Sequence, residues 1–254
     1  NQFRGYDLQT SESDISVTFN SDIPNVYLGL KSQSPLSSNS HLFGTILHEI
    51  IHGLGFSKGI GQDGSSVFSS GKLKAFDLYL KNSQSGLTFD EMTIQQRSDT
   101  LVSSQLEWNG AKTKIESLWI SNNFPSNNVS GHSISGNASM YAPSSYGAGS
   151  SGSHFDAFLK PDEIMEHAQN TEDPKHHVGL AKQVLEDIGW DIYSSGDKPL
   201  ISLIKNASIL NDETYQPKFA LFDNDNFYHR ADAYDWTPFN DSPRLIMEVI
   251  ATSS

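Results

Sequence analysis

The stretch Leu42–Phe56, LFGTILHEIIHGLGF, decides how the rest of the chain is read. Its centre is His48-Glu49-Ile50-Ile51-His52. In a helix, residues four apart stand one turn above another on the same face. Two imidazoles at that spacing reach one ion, and the carboxylate of Glu49 projects beside them. This is the arrangement of two zinc ligands with a carboxylate placed to act on water. Leu42, Phe43, Ile46, Leu47, Ile50, Ile51 and Leu54 recur at steps of three and four, which predicts a buried helix. Ser40 is the expected N-cap, and Gly53 and Gly55 mark the expected end. The bland alternative is a core helix that carries two ordinary histidines. It is disfavoured because buried polar groups need partners. A Gly three residues after the second His also lets the backbone turn sharply towards an ion.

The 254 residues suffice for one large domain, or a domain with a small appendage. A net charge of -13 argues against a nucleic-acid partner and favours a solvated acidic surface. No run of apolar residues is long enough to predict a membrane span. The chain has no cysteine, which excludes disulfides, Cys-ligated zinc and a thiol nucleophile together. Absence of Cys with frequent Ser, Asn and Gly reads as a protein secreted by a bacterium. The chain opens on Asn1 with no apolar leader, as expected of a processed product or an excised fragment.

The run HEIIHGLGF resembles the metzincin zinc endopeptidases, whose motif is HExxHxxGxxH. Here the place of the third His is held by Lys58. A lysine amine is protonated near neutral pH and makes a poor zinc ligand. The leishmanolysin-like branch of that family inserts a long segment between the Gly and the third His. Residues 57–153 read as such an insertion, and FDLYLKNSQSGLTFDEMTIQQR with LEWNGA resembles that of secreted bacterial members. Gly152-Ser153-His154-Phe155-Asp156 closes it, and Met165 follows His154 by eleven residues. By resemblance, His154 is the third ligand and Met165 the methionine of the Met-turn. The run LAKQVLEDIGW resembles the last helix of the catalytic domain. The resemblance covers about residues 14–191, although leishmanolysins proper are rich in cysteine.

The resemblance implies an α+β fold: a twisted sheet, the active-site helix, a long insertion, a Met-turn and a C-terminal helix. It implies one catalytic zinc held by His48, His52 and His154, with the fourth position open to water. Glu49 is then the general base for peptide-bond hydrolysis. Protein or peptide substrates lie along an edge strand in extended form. Asp156 is an expected acceptor that orients a ligand, and His167, Tyr141 and Tyr146 are candidates for a second oxyanion donor. His132 and His41 compete for the third ligand place. His41, seven residues before His48, is too far along the helix. His176 and His177 read as surface residues.

Two strands are expected ahead of the helix, Asp14–Asn20 and Val26–Leu30, joined by a turn at Asp22–Asn25. They are fewer than the family's sheet, so the start of the catalytic domain is expected to be missing or separate. Ser32–Ser40 reads as a loop. In the insertion, Ala75–Leu80 and Leu106–Gly110 read as strands and Asn82–Gly86 as a turn. Thr93 and Gln96 have capping-box spacing and predict a helix to about Leu101. Asn122–Gly152 reads mostly as loop, and Val178–Ile188 as an amphipathic helix ended by Gly189. Residues 1–193 thus form the expected catalytic domain and 194–254 a small β-rich appendage, with strands at Pro199–Leu203, Lys218–Phe222 and Leu245–Ile250. Asp223-Asn224-Asp225-Asn226 has the residue types of a calcium loop but lacks the following Gly and distal Glu, and reads as a turn. Two other functions stay open: a non-catalytic, zinc-containing adhesion or binding module, and a zinc hydrolase of a non-protein substrate.

Overall fold

The computed structural model describes residues 15–20, 26–27, 40–168, 178–190 and 247–252. They form a mixed α and β structure around one apolar core. Strand β1 (Ile15–Asn20) alternates as its sequence requires: Ile15 and Val17 are buried, Ser16 and Thr18 exposed. Strand β2 (Val26–Tyr27) pairs in parallel with β3 (Ser40–His41). Helix α1 (Leu42–Gly53) follows without a break and buries Gly44, Ile46, Leu47, His48, Ile50 and Ile51. Ser40, the expected N-cap, is therefore a strand residue, and the helix starts two positions later. Strand β1 lies against the end of α1, since a Cβ on Gly53 would stand 2.8 Å from Ile15 Cγ2.

The insertion builds its own sheet. Strand β4 (Leu80–Asn82) pairs antiparallel with β5 (Leu106–Trp108), which pairs antiparallel with β6 (Ala138–Ser139). The strand expected at Ala75–Leu80 is instead a 3-10 turn over Phe76–Tyr79 that enters β4. Asp77 causes the difference. Its buried carboxylate accepts from the backbone N–H groups of Gly59 and Lys74, both at 2.8 Å, which winds the chain tightly there. The turn at Asn82–Gly86 forms as expected, with Asn82 Oδ1 accepting from the N–H groups of Gln84 and Ser85. Helix α2 (Ile94–Thr100) has both halves of its capping box, between Thr93 and Gln96.

Helix α3 (Ala111–Asn123) has no counterpart in the sequence reading. Its N-cap, Gly110, has no side chain to cap with. The cap comes from Asp187, at the end of helix α4 (Ala181–Asp187). That carboxylate accepts from Lys112 N at 2.7 Å, Thr113 N at 3.2 Å, Thr113 Oγ1 at 2.8 Å and the indole of fully buried Trp108 at 3.0 Å. Gly110 leaves room for it: a Cβ there would stand 1.8 Å from Asp187 Oδ2. Segment Asn122–Gly152 is mostly loop, interrupted by β6 and a 3-10 turn at Ser126–Asn128. Helix α4 is shorter than the expected Val178–Ile188, and Gly189 ends it at φ +107°. Strand β7 (Met247–Thr252) pairs in parallel with β1, from Ile15 with Met247 to Asn20 with Thr252. The expected turn at Asp22–Asn25, Leu28–Leu30 of the second strand, the loop up to residue 39, His176, His177, the strands at 199–203 and 218–222, and the turn at 223–226 lie outside the described residues. Among the described residues, no helix is long and apolar enough to cross a membrane.

Four donors converge on Asp187, and replacing it strands the buried Trp108 indole and the first turn of α3 together. Asp187→Ala is expected to cost about 2–3 kcal/mol in urea unfolding. A cost below roughly 0.5 kcal/mol, the range of ordinary surface substitutions, would show that this cap does not hold α3.

Candidate metal centre

His48 and His52 project from the same face of α1, one turn apart. The helix ends in a Schellman turn, in which Phe56 N donates to Ile51 O at 3.2 Å and Gly55 N to His52 O at 3.0 Å. Gly55 takes φ +113°, a backbone state that a side chain resists. The turn brings the Phe56 carbonyl back over the helix, where it accepts from His52 Nδ1 at 2.6 Å. The glycine of the motif thus orients the second histidine.

His154 arrives from the far end of the insertion, and its backbone is held on both sides. Tyr141 N donates to His154 O at 2.8 Å and Gly152 N to Tyr141 O at 2.7 Å. Phe155 N donates to Met165 O at 2.8 Å, and Asp156 N to Ser139 O at 3.0 Å. The Phe155 ring packs edge-on against Phe56, with centroids 5.2 Å apart, so one aromatic contact joins the segment after His154 to the segment after His52. Met165 is fully buried, and the Ile164 carbonyl before it accepts from His48 Nδ1 at 2.7 Å. His154 Nδ1 donates to Ser150 O at 3.1 Å.

All three Nδ1 atoms are therefore spent on carbonyls, which assigns the protons to Nδ1 and leaves three Nε2 lone pairs. Those Nε2 atoms converge. His154 Nε2 lies 3.1 Å from His48 Nε2 and 3.1 Å from His52 Nε2, and the three ligand atoms lie within 4.8 Å of one another. Lone pairs facing each other at that distance repel unless a cation lies between them. Imidazole nitrogens about 2.0–2.1 Å from a tetrahedral zinc stand roughly 3.3 Å apart, close to the two separations from His154 Nε2. Burial pushes the His154 imidazole down to about 3, and it also lowers that of His48, so neither ring must shed a proton at neutral pH to bind a metal. Three imidazole nitrogens fit zinc and leave a fourth position without a protein ligand from this set.

Glu49 follows His48 on α1 and is exposed. It accepts no hydrogen bond from another described residue, and its charge favours the protonated form of His48, the smallest of the effects on that ring. The expected role of Asp156 is not realised. Its Oδ1 accepts from Phe158 N at 2.8 Å, and backbone carbonyls, not carboxylates, orient all three ligands. His132 is excluded as a ligand because Ser117 Oγ bonds to its Nδ1 and its Nε2 donates to Lys160 O at 2.9 Å. His167 is exposed and stacks on Tyr141, with centroids 3.7 Å apart, near enough for its charge to bear on His154.

Residues 2–129 match the model of the SPBPB7E8-like family, and the chain belongs to that family. The matched segment contains His48, Glu49 and His52 and ends before His154. No curated protein matches the chain, and no solved structure matches it.

The geometry sets a ranking. His154→Ala is expected to lower zinc bound per chain at least tenfold at micromolar metal, and His132→Ala to leave it unchanged, as read by atomic emission. The reverse ranking would give the third ligand to another residue.

Proposed function

We propose that the chain is an extracellular zinc-dependent endopeptidase. The observation that carries this reading is the convergence of His48, His52 and His154 beside an exposed Glu49. A purely structural zinc would ordinarily have four protein ligands and no use for that carboxylate. Zinc bound by the three Nε2 atoms supplies a Lewis acid that polarises a carbonyl and makes water acidic near neutral pH. Glu49 would serve as the general base, its carboxylate taking a proton from the attacking water and delivering it to the leaving amine. His48, His52 and His154 stay fixed, each held through Nδ1 by a carbonyl. Peptides are the favoured substrate class because HEIIHGLGF and SHFD, with Met165, resemble the leishmanolysin-like metzincins.

Glu49→Ala is expected to keep one zinc per chain and lose casein cleavage by about 10²–10⁴-fold. Wild-type turnover in that variant would remove Glu49 from the mechanism. In the unaltered chain, casein cleavage is expected to stop with 1,10-phenanthroline and return with added zinc. Stoichiometric zinc without cleavage of casein, peptide esters or glycans would instead favour a binding module.

A further inference from the structure

Lys58 holds the place where the contiguous form of the motif carries its third histidine, and it lies against the loop that brings His154 in. Its Nζ donates to the Tyr146 hydroxyl at 2.9 Å and to Ile60 O at 2.9 Å, and stands 5.3 Å from the centroid of the Tyr146 ring. Its backbone N–H donates to Ser153 Oγ at 3.3 Å. The loop also passes close to the lysine stem. A Cβ on Gly152 would stand 3.0 Å from Lys58 Cδ and 2.7 Å from Leu101 Cδ2, and Gly152 takes φ +75°. From Tyr146 the connections run on to the ligand. Gly147 O accepts from Ser150 N at 3.1 Å and Ser151 N at 3.0 Å, and Ser150 O accepts from His154 Nδ1.

We propose that Lys58 is a positioning residue for the metal centre: through the hydroxyls of Tyr146 and Ser153 it fixes the loop that aims His154 Nε2 at the two helix histidines. The inference rests on the metal reading above. An ammonium suits the task because it is a compact charge with several donors on a flexible stem. It engages a hydroxyl and a carbonyl at once, without competing for the metal. The residue that cannot serve as a ligand at this place thus secures the ligand that comes from elsewhere.

The test is zinc affinity of the whole chain, measured by competition with a chromophoric chelator, for Lys58→Met, Tyr146→Phe and the double variant. Methionine keeps an unbranched stem and removes the ammonium; phenylalanine removes one hydroxyl. Each single variant is expected to bind zinc about ten- to a hundredfold more weakly, the range seen when groups orienting a ligand are lost. The double variant is expected to be no weaker than the weaker single one, because both remove one contact. Tyr146→Phe guards against misfolding of the lysine variant. Unchanged affinity in both single variants overturns the proposal and leaves the metal centre standing. Losses that add in full, or a lower metal-free melting temperature without loss of affinity, also overturn it by making Lys58 a packing residue. An unaltered chain that takes up no zinc removes the metal centre, and this inference with it.

Discussion

Three imidazole N–H groups donate to three backbone carbonyls, and the candidate site depends on those bonds. The carbonyls belong to Ile164, Phe56 and Ser150, from three separate stretches of chain. Each bond fixes a ring's tautomer and rotation, so the opposite nitrogen is presented as a lone pair in a set direction. Three such lone pairs within 4.8 Å of one another are costly to bury without a positive charge between them. A fold that holds them there is prepared for a cation, with the ordering of the ligands already accomplished on folding.

Few residues support this arrangement, and several serve twice. Gly55 ends α1 and turns the Phe56 carbonyl onto His52. The Phe56 ring packs on Phe155, beside His154, and on Phe76 at the entry to β4. Trp190, just after α4, donates its indole N–H to Leu54 O at 2.8 Å and ties the last described helix to the end of the first. The core therefore links α1, the insertion's sheet and the segment from His154 to Met165 through Phe56, four residues after His52, and Phe155, next to His154. Displacing any of these parts would displace one of the three histidines. The family match reaches residue 129, so it takes in the helix and most of the insertion, whereas His154 and its loop lie beyond it.

Local features were legible in the sequence. The three-and-four spacing of α1, the alternation of β1, the Thr93–Gln96 capping box and the Asn82 turn are each written within a few residues. So is the glycine that ends α1. His154 lies 102 residues from His52, and no spacing rule joins them; the resemblance singled it out, and the geometry brings the two together. Helix α3 stayed hidden for a physical reason. It buries Thr113 and Ser117 while exposing Ile115 and Trp119, so its apolar pattern is scrambled, and its cap comes from Asp187, 75 residues away. Asp77 misled similarly, since an apolar run reading as a strand is wound into a 3-10 turn by a bond to distant Gly59. Asp156 is of a residue type that often orients a metal ligand, but the imidazoles donate to the carbonyls of Ile164, Phe56 and Ser150 instead.

In the proposed site one metal ion sits among His48, His52 and His154 with a fourth place not taken by a histidine. X-ray absorption at the zinc edge of the loaded chain tests it most directly. Three imidazole nitrogens at about 2.0–2.1 Å and one further light scatterer without imidazole character are expected. A shell with four imidazoles, or one of oxygens without imidazole scattering, would contradict it.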